Sequence, residues 1–425
     1  MDKFATLFQD LGDPATLAAK AADGFAPLSR PRVNAHIHLP PNFSAFETIG
    51  QAVGLADDQD VRVLGASNYY DYSIYADFAL QAREKGIFPL FGLEIITLDE
   101  ALVRAGVKLN DPGNSGKMYV CGKGITGFAP LSPQAAELLQ VIRDKDSARM
   151  ERMAAHLEEV YTAIGLPTGL DADAIKARVV KRHGSPLESV YLQERHIAQA
   201  FQEVLFERIP AEGRGEMLAK LFGTPSKVEP TDAVGVQNEI RSHLMKAGKS
   251  AYVEETFVDF DHAYRMILAL GGIPCYPTLA DGAKPICAYE APVEKLIAET
   301  KARGIHCAEL IPIRNTPEVL GEYVRAMRAA GLIVTAGTEH NTRDLIPLAP
   351  TCVNEQPIPD DLQEIFWEGA CVIAAHQYLT LQGQTGYVDA QGKLNPAYPS
   401  EEARIAAFRS LGAAVIRQYQ DVNLR

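Results

Sequence analysis

The stretch RVNAHIHLPP (32–41) decides how the rest of the chain is read. A short run with two histidines two residues apart is closed by Pro40-Pro41, the form of a strand that turns into loop just past His38. Side chains at i and i+2 of a strand share a face, so His36 and His38 project together, and two imidazoles at that spacing can hold one metal ion. In a barrel of parallel strands, catalytic groups gather at the strands' C-terminal ends. Stripped of its surroundings the pair would read as two surface histidines. With only ten histidines in 425 residues, an HxH at a strand end favours a site.

Working outward, short apolar runs rich in β-branched residues recur at 61–66, 88–93, 118–122, 273–276, 307–312 and 333–336, which with 32–36 makes seven expected strands. Helical patterns fit between them at 45–54, 73–85, 260–270, 292–303 and 317–330. Gly86, Gly271-Gly272, Gly304 and Gly331 each follow a helical stretch, where a left-handed C-cap wants a residue without Cβ. The repeating unit of helix, glycine and strand predicts an α/β barrel rather than a small open sheet. Between Pro133 and Gly248 the period becomes purely helical, and it is helical again after Asp360 up to a last helix at 401–420. The expected organisation is an N-terminal helical segment (1–30), a first barrel part (31–132), a helical insertion (133–248), a second barrel part (249–345) and a helical C-terminal region (346–425). The insertion has the length of a lid or of an interface between copies of the chain.

Composition narrows the function classes. A formal charge of −13 argues against nucleic acid, and no run of eighteen apolar residues exists to span a bilayer. The opening MDKFATLFQDLGDPATLAAKAADGF reads as an amphipathic helix without a basic start or cleavage site. The six cysteines show no CxxC spacing and read as buried thiols of a reducing, cytoplasmic compartment. GxGxxG after the first strand, a Walker sequence and GxSxG are all missing, which removes the main support for dinucleotide, NTPase and serine hydrolase readings. His156, His183, His196, His243, His262, His306 and His376 have no metal-ligand spacing and default to structural or surface roles.

Five motifs then carry a resemblance: NAHIHL (34–39), LGASNYYDY (64–72), PLFGLEI (89–95), ALGGIPCYP (269–277) and TAGTEHN (335–341). Their order and spacing resemble the PHP (polymerase and histidinol phosphatase) superfamily over 32–121 and 258–341, skipping the helical insertion. The resemblance implies a distorted (β/α)7 barrel and a metal-dependent phosphoesterase acting on a small anionic substrate. It matches His36, His38, Glu94 and Glu339 to metal ligands, and His340 or Asn341 to the family's late histidine. Glu339, His340, Tyr69 and Tyr276 are the implied catalytic groups, and Tyr119 and Asn68 are expected substrate contacts; by their positions just past expected strands four, five, six and seven, Lys123, Lys284, Arg314 and Arg343 are the expected cations for a substrate anion.

The departures are as informative. Asn68-Tyr69 stands where the family has Asp-His, and Tyr276 and Tyr119 stand where it has histidines. A phenol with an ordinary pKa near 10 is a poor zinc ligand at neutral pH. The family's three-metal site is therefore not expected; one or two zinc or manganese ions, or none, are. Three functions stay open: a metal-dependent phosphoesterase with a reduced site, a catalytically silent ligand-binding module of the same fold, and an amidohydrolase-like or sugar-isomerase-like barrel, which also starts from HxH.

Overall fold

A computed structural model describes residue 8 and residues 10–423. The helix expected at the start of the chain falls partly on residues 1–7 and 9, outside the described residues. Within them it is α1 (Pro14–Ala22), begun by Asp13, whose carboxylate accepts from Thr16 N.

Seven strands form one sheet in chain order: β1 (Arg32–Ile37), β2 (Val61–Ala66), β3 (Phe88–Leu98), β4 (Lys117–Lys123), β5 (Ile273–Thr278), β6 (Cys307–Leu310) and β7 (Ile333–Ala336). Past its end β7 returns to β1 through a parallel bridge between Glu339 and Ile37, where His38 N donates to Glu339 O at 2.8 Å, so the sheet is a nearly closed barrel. Gly337 makes this return fit, since a Cβ there would lie 2.4 Å from His36 Cβ.

The helices α2 (Ile49–Asp58), α3 (Tyr75–Glu84), the short α4 (Glu100–Arg104), α10 (Phe260–Ala269), α11 (Val293–Ala302) and α12 (Pro317–Ala329) flank the strands. Caps place their starts. Thr48, Asp259 and Thr316 accept from Gln51 N, His262 N and Val319 N. The cap at Thr48 is why α2 begins at Ile49 and not, as expected, at Ala45.

One strand runs against the expectation of an all-parallel sheet. β4 is antiparallel to both β3 and β5, with Leu98 opposite Lys117 and Gly92 opposite Lys123. Its N-terminal end, not its C-terminal end, therefore stands level with the C-terminal ends of its neighbours.

Between β4 and β5 the chain forms α5 (Pro133–Ala163), α6 (Ala172–His183), α7 (Glu194–Arg208), α8 (Ala211–Phe222) and α9 (Ala233–Ile240), with no strand among the described residues of 133–248. This segment has its own apolar core, including Met153, Leu157, Tyr161, Ile175, Ile197 and Phe201. Each such side chain contributes about 1.5–3 kcal/mol on burial. The first turns of α5 (Ala135, Leu138, Leu139, Ile142) belong instead to the barrel core.

After β7 the chain ends in α13 (Asp360–Leu381) and α14 (Glu401–Asn423). α13 is buried over most of its length against the barrel; Gln377 accepts from Phe91 N and donates to Pro89 O, both at 3.0 Å, pairing with β3 as a neighbouring backbone would. Among the described residues, no helix is long and apolar enough to cross a membrane.

Candidate metal centre and its cavity

His36 on β1 and His38 just past its end point to the same side, and Glu94 reaches them from β3, two strands away. All three are buried. His36 Nε2 and His38 Nε2 are 3.4 Å apart, and Glu94 Oε2 lies 3.1 Å from His38 Nε2 and 3.8 Å from His36 Nε2. Two nitrogens bound at about 2.0–2.1 Å around a tetrahedral zinc ion stand about 3.3–3.4 Å apart, so the spacing fits such an ion.

A carboxylate orients the first imidazole. Glu309, in the middle of β6, lies 2.6 Å from His36 Nδ1 and so leaves the Nε2 lone pair facing His38 and Glu94. This is the arrangement of carboxylate, histidine and metal found in metalloproteins. Burial alone would raise the pKa of Glu309, but Lys123, 2.6 Å away, and His36 hold it down at about 2. Burial likewise pushes His38 below its ordinary value, keeping it a neutral ligand. The His38 ring stacks on Tyr69, with centroids 5.0 Å apart and planes within 4°.

Two partial clusters have the donor types that hold a divalent ion: His36, His38 and Glu94, and His36, Cys121 and Glu309. The first fits one. Glu94 Oε2 and His38 Nδ1 are buried without a hydrogen-bond partner, a cost that an ion on the carboxylate oxygen removes for Glu94. The second is already neutralised, because the Lys123 ammonium stands against Glu309 and burial raises the Cys121 thiol well above its usual range.

Glu94 opens onto a cavity of about 680 Å³, with Tyr69, Tyr119, Arg314, Glu339 and Asn341 around it. Tyr119 reaches it because antiparallel β4 presents its N-terminal half to the mouth. Burial and the nearby Glu94 raise Tyr69 well above the usual phenol range, and Tyr119 is pushed up to about 12 by burial against the opposing effect of Lys117. Both stay protonated at neutral pH. Glu339 accepts from Arg314 through both oxygens, at 2.8 Å for one, and from Asn341 Nδ2 at 2.6 Å. Burial opposes its ionisation and Arg314 restores it, leaving the pKa lowered. Glu339 (φ 59°) and His340 (φ 51°) are both left-handed, a strain that concentrates at functional sites. Glu339 is not part of either metal-holding cluster.

Other expected site residues are placed elsewhere. Antiparallel β4 carries Lys123 into the barrel interior, paired with Glu309, away from the mouth. His340 has both ring nitrogens engaged, with Thr338 Oγ1 at 2.7 Å and Ile346 O at 2.9 Å, and it stacks on Phe46. Tyr276 donates to Glu290 at 3.0 Å and, like His340, does not line the cavity. Asn68 bonds Leu39 N and O at 2.8 and 2.9 Å, clamping the loop after β1. Lys284 is exposed and outside the cavity wall, and Arg343 pairs with Glu47 at 3.1 Å.

Two groups of residues escaped the sequence reading. Glu309 is the one charged residue of the strand CAEL (307–310), and that anomaly was its only signal. The insertion supplies Asp146, Arg149, Glu194, Arg195, Arg241 and Lys246 to the cavity wall, and no local pattern marks them.

No protein family profile and no curated protein sequence matches the chain. Among solved structures, one from Bifidobacterium adolescentis, provisionally named a metal-dependent phosphoesterase, superposes with a TM-score of 0.52 at 15% identity, covering 80% of this chain and 96% of that one. A second, an amidohydrolase from Chromobacterium violaceum solved with bound sulfate and no metal, gives a TM-score of 0.49 at 17% identity over 79% and 96% of the two chains. The chain is a distorted (β/α)7 barrel of PHP type with candidate, incomplete metal-ligand clusters, distantly similar in structure to the first of these proteins.

Proposed function

We propose that the protein is a hydrolase of small phosphorylated substrates that uses a single divalent ion, zinc or manganese, held by His36, His38 and Glu94. The observation that carries this reading is the convergence of two imidazole nitrogens and a buried carboxylate oxygen that has no hydrogen-bond partner on one point beside a cavity of substrate size. An ion bound there would lower the pKa of a bound water and polarise a phosphoryl oxygen. Glu309 holds His36 in the tautomer that offers Nε2, and the Tyr69 ring holds the plane of His38. Glu339, ionised and facing the cavity, is the proton acceptor beside the site, since the ring nitrogens of His340 are engaged elsewhere. Arg314 and the protonated Tyr119 are the barrel's donors to substrate oxygens.

Metal analysis of the purified protein, joined to turnover assays on a phosphoester panel, tests the reading. About one ion per chain is expected, with His36→Ala/His38→Ala losing both ion and turnover while keeping its fold. Turnover unchanged in that double variant would refute the mechanism. A wild type that takes up no zinc or manganese and turns nothing over would establish the silent-module reading, and cleavage of amides but not phosphoesters the amidohydrolase-like one.

A further inference from the structure

The cavity wall contributed by the helical insertion is basic in a chain of net charge −13. Arg149, Arg195, Arg241 and Lys246 face it against only Asp146 and Glu194. Glu194 is shared by three of the cations, with Arg149 at 2.9 Å, Lys246 at 2.7 Å and Arg241 at 3.6 Å. Arg195 makes no ion pair among the described residues; its guanidinium has one hydrogen bond, to Asn238 Oδ1 at 3.4 Å, and lies 6.0 Å from the Phe43 ring. The Nε of Arg241 is buried without a partner.

Three features set this pair apart. Arg195 sits in the first turn of α7, where the helix dipole favours negative charge and disfavours a cation. Burial, together with the like charge of Arg241, depresses Arg195 to about 10. Arg241 opens a five-residue π-helical turn (Arg241–Met245), a rare geometry that is frequent at functional sites. The pair is also held in register with the metal centre. The Gln193 side-chain oxygen, at the start of α7, accepts from Phe43 N at 2.7 Å and Asn42 Nδ2 at 3.2 Å, while Asn42 Oδ1 accepts from Tyr69 N at 2.7 Å. Tyr69 in turn stacks on His38.

We infer that Arg195 and Arg241 form an oxyanion receptor, built by the helical insertion, that holds a phosphoryl or carboxylate group of the substrate in the cavity onto which Glu94 opens. Two guanidinium groups present planar donor forks suited to such oxygens, and the N-terminus of α7 adds its own partial positive charge. This assignment rests on the cavity being the substrate site proposed above, but anion binding can be measured without metal or turnover.

Calorimetric titration of the whole protein in excess chelator, with inorganic phosphate and in parallel with acetate, separates the two readings. Wild type is expected to bind phosphate or acetate below about 10 mM, the tighter of the two naming the group. Arg195→Gln and Arg241→Gln should each weaken binding at least about tenfold, the loss of one charge-assisted contact. His36→Ala/His38→Ala should bind as wild type does, as should Arg178→Gln, which removes an insertion arginine paired with Glu207 and not lining the cavity. Should a glutamine variant fail to fold by circular dichroism, Arg195→Lys keeps the charge but not the fork, and weaker binding is still expected. Three results would overturn the receptor: no anion binding by wild type, equal losses in Arg178→Gln, or loss of chelator-insensitive binding in His36→Ala/His38→Ala. Failure of metal-dependent turnover alone would strike only the hydrolase reading.

Discussion

Replacing Glu309 by glutamine isolates the group that orients His36. The fully buried carboxylate sits 2.6 Å from both Lys123 Nζ and His36 Nδ1. Against the opposing effect of burial, Lys123 and His36 hold it at about 2 instead of the ordinary 4.5. At 1.36 kcal/mol per pH unit that difference contributes about 3 kcal/mol at neutral pH. The same size, about 3–5 kcal/mol, is typical when one partner of a buried ion pair is removed. Because the folded pKa is depressed, this stability is fully present above about pH 4.5 and is lost as the pH falls toward 2. The gap between wild type and Glu309→Gln should therefore be constant from pH 7 to about 5 and narrow at pH 4. The chain has a single tryptophan, Trp367, packed in α13 against the barrel, so urea unfolding followed by its fluorescence reports the barrel itself. In a Lys123→Met background the penalty should fall well below its value in wild type, the mark of direct coupling. A gap under about 1 kcal/mol at pH 7, or one of equal size in both backgrounds, would refute this account of the barrel centre.

Two further substitutions probe its surroundings. Gly337→Ala should push His36 out of line, costing about 1–3 kcal/mol of stability and at least tenfold in zinc affinity measured against a chromophoric chelator; unchanged affinity would show that the packing of β7 on β1 does not set the ligand geometry. Burial raises Asp146 to about 6 despite its bond to Tyr70, so ionising it costs stability as the pH rises from about 4 through 6. Asp146→Asn should then be more stable than wild type at pH 8, by on the order of 1–3 kcal/mol, with the advantage gone below pH 4 in the same denaturant assay; a variant less stable at pH 8 would contradict this.

What could be read in advance follows from how local each signal is. All seven strands carry their own apolar runs, and HxH at the end of β1 is a purely local pattern, so both were visible in the residues. Strand direction is a relation between strands, and for β4 the period-2 pattern is the same either way up. The turn-rich KLNDPGNSG (108–116) and the short α4 before it were the available hints of a chain doubling back rather than crossing over. Misjudging that direction is what sent Lys123 to the mouth. His340 and Tyr276 lay at strand ends as expected, but their hydrogen bonds to Ile346 O and Glu290 depend on loops whose paths no periodicity describes. Arg195 and Arg241 come to the cavity only through docking of the insertion, and in sequence they look like ordinary charges on helices.

The division of α5 between two cores bears on how such a protein can change over generations. His36, Glu94 and Glu309 lie on β1, β3 and β6 and His38 just past the end of β1, whereas the opposing wall of the cavity is carried by one continuous stretch between β4 and β5. Recombination that exchanged this stretch would hand down the old candidate metal centre together with a new cavity wall. The graft cannot be made at a loop, however. α5 is 31 residues, about 46 Å of unbroken helix, with Ile142 in the barrel core and Met150 in the insertion's own. A crossover that keeps both cores whole has to fall between those two residues and in helical phase. A shift of one residue there would swing the incoming wall by about 100° around the helix axis, so viable hybrids should be rare and share their junction.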